Sequence, residues 1–247
     1  MSITVNSTAK INLALDVLGR DENGYHRIQT IYHEVPELYD ELTFEPHDSL
    51  ELICDHKEVP TDDSNLILKA AHLLDPKKGA KITLQKNIPI AAGLGGASSN
   101  AAATLVALNQ LWSLNKTPEE LLTLAAEIGM DVPFCLIGGT ALGMHYGEHL
   151  MPLLPPENLH IEIIETSVHV STKEAYENLD LEKCGQRDHE TSQIVHILNG
   201  NQEGDILPLF HNDFEAQFFA ANPEIRKKHP DAHLSGSGGC LYNITVK

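Results

Sequence analysis

Pro89-Ile90-Ala91-Ala92-Gly93-Leu94-Gly95-Gly96-Ala97-Ser98-Ser99-Asn100 decides how this chain is read. Ahead of it Ala80–Gln85 alternates as a strand, with Ile82 and Leu84 on one face; behind it 101–112 forms an apolar helix. Strand, glycine-rich turn and helix follow one another within a few residues. Three glycines free the backbone for left-handed turns and for close approach to a ligand. Ser98, Ser99 and Asn100 are cap-type side chains at the expected helix start. The unpaired N–H groups and partial positive charge of a helix N-terminus suit phosphate. The stretch is a phosphate cradle, or a turn whose glycines only permit close packing. It is not a Walker A loop, because it lacks the lysine of Gly-x-x-x-x-Gly-Lys-Ser/Thr. A dinucleotide fingerprint also fits poorly, because the glycines fall as Gly-Leu-Gly-Gly.

The chain around it bounds the possibilities. Its 247 residues suffice for one large domain or two smaller ones, and 42% hydrophobic with 21% charged residues is ordinary for a globular protein. No apolar run has the length of a membrane span, and Met1-Ser2-Ile3-Thr4-Val5 lacks the basic and apolar regions of a secretory signal. A formal charge of −18 argues against a nucleic-acid partner. An anionic nucleotide substrate would then be met by local donors and a metal ion, against the overall field. Cys54, Cys135, Cys184 and Cys240 form no CxxC pair and read as reduced thiols of a cytoplasmic protein. Fourteen histidines include His145 and His149 around Gly147, but there is no HExxH and no histidine metal site is expected.

Upstream of the turn, Ile11, Leu13, Leu15 and Val17 alternate, which places Lys10 and Asn12 together on the opposite strand face. That face is solvated or functional. The polar turn 19–24 leads into a strand from Tyr25-His26 through Ile28, Thr30 and Tyr32, and 39–46 and Leu50–Cys54 give two more short strands. The alternation predicts an antiparallel or mixed sheet. A helix is expected over 65–74. Thr117-Pro118-Glu119-Glu120 opens another, with Thr117 as cap, Pro118 in the first position and Glu120 completing a capping box, and it stops at Gly129. Asp131, between Gly129 and Pro133, is either a helix cap or a fixed catalytic carboxylate. Pro152, Pro155 and Pro156 mark the expected domain junction, after which 159–164 restarts a strand. Ser171-Thr172 opens a helix, 180–193 reads as a loop, and helices are expected over 193–198 and 212–220. Leu234-Ser235-Gly236-Ser237-Gly238-Gly239-Cys240 is a second glycine-rich turn before the strand Cys240–Val246.

Three separated stretches, Ala9-Lys10-Ile11-Asn12-Leu13, residues 89–102 and residues 234–242, resemble the three motifs of the GHMP small-molecule kinases. Gly19-Arg20, Gly24-Tyr25-His26-x-x-Gln29-Thr30, Ser64-Asn65-Leu66-Ile67, Gly129-Met130-Asp131-Val132-Pro133-Phe134 and Gly147-Glu148 narrow the resemblance. Val170-Ser171-Thr172-x-x-Ala175-Tyr176 and Asn212-Asp213-Phe214-Glu215 add to it. Together they resemble the branch that phosphorylates a cytidine diphosphate-linked methylerythritol in non-mevalonate isoprenoid synthesis.

The resemblance implies an α+β, two-domain GHMP kinase fold. Residues 1–155 would form a ribosomal protein S5 domain 2-like, ATP-binding domain. Residues 156–247 would form a ferredoxin-like α/β sandwich shortened at its C-terminus, where relatives continue with a further helix and strand. It implies transfer of the ATP γ-phosphoryl group to the substrate's 2-hydroxyl, with Asp131 as catalytic carboxylate and Lys10 as its cationic partner. Asn65, Pro89, Ala91, Ala92, Gly93, Leu94, Gly95, Gly96, Ala97, Ser98 and Ser99 would bind ATP. Asn12, Tyr25, His26, Tyr32, Thr172 and Tyr176 would bind substrate, with Tyr32 and Tyr176 as aromatic walls for cytosine. Mg²⁺ would be held mainly through the ATP phosphates, without a protein ligand set. The partner implied is a small molecule, with neither nucleic acid nor membrane, for a monomer or weak homodimer. Met144-His145-Tyr146 and Glu165-Thr166-Ser167 depart from the family's usual residues. The rival readings are another GHMP kinase, acting on a sugar, homoserine or a mevalonate derivative, and a non-catalytic nucleotide-binding relative.

Overall fold

Alternating apolar residues carry the chain first through two strands longer than their sequence suggests: β1 (Ile3–Arg20) and β2 (His26–Pro46). The stretches expected as separate strands around 25–32 and 39–46 are one strand, because Val35 stays buried between them and Pro36 does not interrupt it. The computed structural model describes residues 2–246. Its contacts gather into two units that share the chain discontinuously. One takes residues up to Lys10, Val35–Pro89 and Gly95–Gly138; the other takes Ile11–Glu34, Ile90–Leu94 and everything from Gly139 onward. The proline-marked junction at 155/156 therefore lies inside the second unit.

In the first unit follow β3 (Leu50–Cys54), α1 (Leu66–Leu74), β4 (Ala80–Gln85), α2 (Gly96–Leu111), α3 (Pro118–Ile128) and α4 (Val132–Ile137). β4 pairs antiparallel with the end of β2, Leu42 opposite Leu84 and Phe44 opposite Ile82, and parallel with β3, Leu52 opposite Ile82. The sheet is mixed, as the alternation predicts. Leu42, Phe44, Leu52, Ile82 and Leu84 form one core with Ile67, Leu68, Ala101, Leu105 and Leu108 of the helices. α3 has the capping box read from its sequence: Glu120 N–H donates to the Thr117 hydroxyl, and Thr117 N–H donates to the Glu120 carboxylate at 2.8 Å. α2 begins earlier than expected. Its cap is Gly95, in a left-handed conformation at φ +72°, and Ser98, Ser99 and Asn100 lie inside its first turns rather than capping it.

Asp40 is fully buried and fixes the approach to the glycine-rich turn. One of its oxygens accepts from the Asn87 and Ile88 N–H groups, both at 2.8 Å, and the other pairs with the Lys86 ammonium. A buried carboxylate is tolerable only with such partners. Here they pin the three residues leaving β4.

In the second unit follow β5 (Thr140–Met144), β6 (His149–Leu153), β7 (Leu159–Glu165), α5 (Thr172–Glu177), α6 (Asp188–Leu198), β8 (His211–Asn212), α7 (Glu215–Ala221), α8 (Pro223–Lys228), β9 (His233–Leu234) and β10 (Cys240–Val246). The expected loop 180–193 holds a short 3-10 turn and the first residues of α6, and the expected helix over 212–220 begins only at Glu215. β5 pairs antiparallel with β2 and β6, β8 runs parallel to β1, and β10 lies between β7 and β9. Leu15, Val17, Ile28, Phe214, Phe218, Leu234 and Leu241 form the second core. The four cysteines are free, and no helix among the described residues is long and apolar enough to cross a membrane.

A polar network is buried beside this core. His211 Nε2 lies 2.9 Å from Asp16 Oδ1 and its Nδ1 lies 2.8 Å from the Leu209 carbonyl, while the Thr191 hydroxyl donates to Asp16 Oδ2 at 2.6 Å. Both ring nitrogens face acceptors, so only the imidazolium satisfies both. Burial pulls the His211 pKa down, but the Asp16 and Leu209 hydrogen bonds and the Asp16 charge outweigh it, and the value is raised above that of a free histidine. Glu190 lies within 3.9 Å of the ring and Arg187 opposes its charge. Because the folded pKa exceeds the unfolded one, the stabilisation is complete below the unfolded value, near 6.5, and is lost as pH rises through the folded value. Urea unfolding at a series of pH values is expected to show this alkaline loss in the wild type and a flatter profile in His211→Gln.

Candidate catalytic pair and recognition cluster

Lys10 closes the first unit's share of β1, and its ammonium lies 3.5 Å from Oδ2 of Asp131. The lysine side chain is 5% exposed and the aspartate 35%, so a buried cation meets a carboxylate still open to solvent. Burying an ammonium is costly without such a partner. Gly95 makes the position possible: a Cβ there would lie 2.8 Å from Lys10 Cγ and 3.1 Å from its Cε. The lysine stem runs across the bare backbone at the start of α2, where the first N–H groups, from Gly96 to Ser98, have no partner within the helix. An anion at those groups is favoured by the helix dipole.

Asp131 occupies the cap position of α4, yet its side chain makes no capping hydrogen bond. Its backbone carbonyl serves the helix, accepting from Cys135 N–H at 3.2 Å, while the carboxylate faces Lys10. Of the two uses open to this residue in the sequence, the side chain does not serve the first. The forgone cap costs about 1 kcal/mol. Asn65 is the N-cap of α1, its Oδ1 accepting from Ile67 N–H at 2.9 Å and its amide donating to the Pro60 carbonyl at 2.6 Å. Pro89 is half-buried, Ala97 is exposed and Ser99 is buried.

Residues 90–94, the other half of the glycine-rich stretch, belong to the second unit, where they pack on the second glycine turn. The Ser235 hydroxyl donates to the Gly93 carbonyl at 3.0 Å, and Cys240 N–H donates to the Ala92 carbonyl at 3.1 Å. A Cβ on Gly93 would run into the Ser235 carbonyl, and one on Gly239 would lie 2.5 Å from the Ala91 carbonyl. These contacts make residues 236–239 a packing surface for residues 91–93. Asn212 holds the same turn, its amide donating to the Leu234 and Gly236 carbonyls.

The remaining candidates all lie in the second unit. The buried Asn12 amide donates to the Thr30 hydroxyl at 2.7 Å, and the Asn12 carbonyl accepts from the Tyr242 hydroxyl at 2.7 Å. His26 and Tyr176 have ring centroids 4.8 Å apart, and Tyr176 meets Phe214 edge-on. Burial, helped by the Arg20 charge, lowers the His26 pKa, so its ring is neutral at neutral pH and offers one donor and one acceptor. Tyr25 is 52% exposed and its ring lies 5.1 Å from that of Tyr146. Thr172 is exposed, and its hydroxyl accepts from the Ser237 hydroxyl at 3.1 Å. Tyr32 is different. It is 1% exposed, its ring, from β2, filling the space that Gly143 and Gly147 of the β5–β6 hairpin leave bare. Asp40, which sets the approach to the turn, escaped the sequence reading because nothing in Tyr39-Asp40-Glu41 distinguishes a buried aspartate from an exposed one.

A family model described as the GHMP kinases N terminal domain matches residues 65–139. A 4-diphosphocytidyl-2-C-methyl-D-erythritol kinase of Chloroherpeton thalassium is 40% identical, over 99% of this chain and 90% of the relative. One of Alkaliphilus metalliredigens is 37% identical, over 98% and 87%. A crystal structure of 4-(cytidine 5'-diphospho)-2C-methyl-D-erythritol kinase superposes with a TM-score of 0.77 at 30% identity, covering 97% of this chain and 89% of that one.

The packing of the glycine turns is testable by stability. Gly93 and Gly200 have similar left-handed backbones, φ +75° and +71°, but a Cβ on Gly200 meets nothing within 4 Å. Gly200→Ala is expected to cost about 1 kcal/mol in urea unfolding, the strain alone, and Gly93→Ala about 3 kcal/mol. Equal losses would show that the turns do not depend on this close approach.

Proposed function

We propose that this chain, which belongs to the 4-diphosphocytidyl-2-C-methyl-D-erythritol kinases of the GHMP kinase family, transfers the γ-phosphoryl group of ATP to the 2-hydroxyl of that cytidine-linked methylerythritol. The observation that carries the mechanism is the Lys10–Asp131 pair, a buried ammonium holding a solvent-accessible carboxylate that its helix does not use as a cap.

The chemistry follows from that pair. Asp131 orients the attacking hydroxyl and accepts its proton as the new P–O bond forms and the bond from the γ-phosphorus to ADP breaks. Lys10 balances negative charge building on the transferring group, and the N–H groups opening α2 receive phosphate oxygens. Phosphoryl transfer demands mainly positioning and charge stabilisation, so no Walker lysine is required. ATP contacts are assigned to Asn65, Pro89 and residues 91–99. Magnesium would arrive on the ATP and neutralise phosphate charge, and the Asp131 carboxylate, a hard oxygen donor open to solvent, fits such an ion nearby. In the second unit the neutral His26 ring, with Tyr25 and Tyr176, is assigned to the cytosine, and Asn12 and Thr172 to the rest of the substrate. The family's two domains correspond in this reading to residues 1–155 and 156–247, and the enzyme is a cytoplasmic monomer or weak homodimer.

ADP release from Mg-ATP across a panel of acceptors tests the reading. Turnover is expected with 4-diphosphocytidyl-2-C-methyl-D-erythritol and is expected to fall about 10²-fold or more in Asp131→Ala. Turnover only with mevalonate, homoserine or sugar acceptors would overturn the substrate assignment, and none with any acceptor would favour a binding protein.

A further inference from the structure

The β5–β6 hairpin carries a cluster that phosphoryl transfer does not use. β5 ends at Met144 opposite His149, the first residue of β6, so His145-Tyr146-Gly147-Glu148 is the connecting loop. Gly147 N–H closes it by donating to the Met144 carbonyl at 3.0 Å, and His145 takes a left-handed backbone, φ +65°, that is uncommon away from glycine. The result is that both imidazoles stand beside one carboxylate. His145 Nδ1 lies 2.5 Å from Glu148 Oε1 and His149 Nε2 lies 3.8 Å from the same oxygen. The two rings are stacked at 5.0 Å, and one ligand atom from each of the three residues lies within 4.8 Å of the others.

We propose that His145, Glu148 and His149 bind a divalent transition-metal ion of the Zn²⁺, Co²⁺ or Ni²⁺ class, with water completing its coordination. Two imidazole nitrogens and one carboxylate oxygen are the donor set such ions favour, whereas Mg²⁺ and Ca²⁺ prefer oxygen alone. Glu148 is pre-set for the task. Its side chain is 13% exposed, and its second oxygen accepts from Tyr146 N–H at 2.9 Å, which leaves Oε1 directed at the two rings. Such outer contacts orient a ligand before the ion arrives. Burial raises the Glu148 pKa, but the hydrogen bonds from His145 and the backbone outweigh it and hold the carboxylate ionised. The histidines are 40% and 67% exposed, so an ion has an open path and the rings have freedom to close on it. Metal–ligand bonds of about 2.0–2.2 Å ask the donors to adjust by modest side-chain rotation, with the ion replacing the His145–Glu148 hydrogen bond. The chain's charge of −18 draws cations toward its surface. The Tyr146 ring lies 3.7 Å from that of His145, tilted against it, and its hydroxyl donates to Asp21 at 3.0 Å, so the ion would also stiffen the loop that carries this ring.

Co²⁺ is the probe, because its visible absorption reports coordination number and imidazole ligation. The full-length protein, stripped with chelator, is titrated with Co²⁺ and then with Zn²⁺ as competitor, in millimolar Mg²⁺. One equivalent is expected to bind with d–d bands of four- or five-coordinate character, displaced by Zn²⁺ and not by Mg²⁺. His149→Gln and His145→Gln, each with an unchanged melting temperature, are expected to weaken binding about tenfold or more. The chain has fourteen histidines, so the variants decide the location. Unaltered affinity and stoichiometry in both variants, or no band at one equivalent in the wild type, would overturn the proposal.

Discussion

The ion pair between Lys10 and Asp131 is the constraint around which the first unit is arranged. An ammonium 5% exposed needs a countercharge, and the carboxylate that supplies it comes from the opening of α4, more than a hundred residues later in the chain. Three local choices follow. Residue 95 must lack a Cβ, because the lysine stem occupies that space. Asp131 must give up its cap hydrogen bond, a loss of about 1 kcal/mol that an ordinary helix would not accept. The strand before the glycine-rich turn must leave the sheet at a fixed place, which the buried Asp40 ensures through Asn87, Ile88 and Lys86. Each concession is local and destabilising alone. Together they leave one carboxylate open to solvent beside a buried ammonium and a helix start.

The second unit is organised by backbone rather than charge. Residues 90–94 and 235–240 approach so closely that glycine is required on both sides, at Gly93 and Gly239. The Ser235 hydroxyl and Cys240 N–H supply hydrogen bonds that the bare backbone can reach. Asn212 then joins this contact to β8 and so to β1. The glycine-rich stretch thus serves two purposes along its length. Its first half is a packing surface in the second unit, and its second half, from Gly95, opens α2 in the first.

Much of this was legible in the residues because the signals were local. The capping box at Thr117, the strand Ala80–Gln85 and the terminal strand depend on neighbours in sequence, and they are found where expected. Family motifs brought Lys10 and Asp131 forward together, which spacing alone does not. What stayed hidden depends on contacts distant in the chain. The start of α2 at Gly95 rather than at the serines follows from where the lysine stem lies, and Tyr32 is buried because two glycines of a hairpin make room for it. His145 and His149, paired around Gly147 in the sequence, do not match HExxH, which is a helical signature. On a hairpin with a left-handed residue, the same spacing brings both rings onto one carboxylate.

The central claim is that Lys10 and Asp131 act as one catalytic unit, and a double-mutant cycle on kcat tests it most directly. Steady-state kcat is measured for the wild type, Lys10→Met, Asp131→Asn and the double variant, with urea unfolding confirming that each is folded. Residues that act together lose their contribution once, so the account predicts a double variant scarcely slower than the worse single one. Losses that multiply, with the double variant slower by the product of the two, would show independent roles and contradict it.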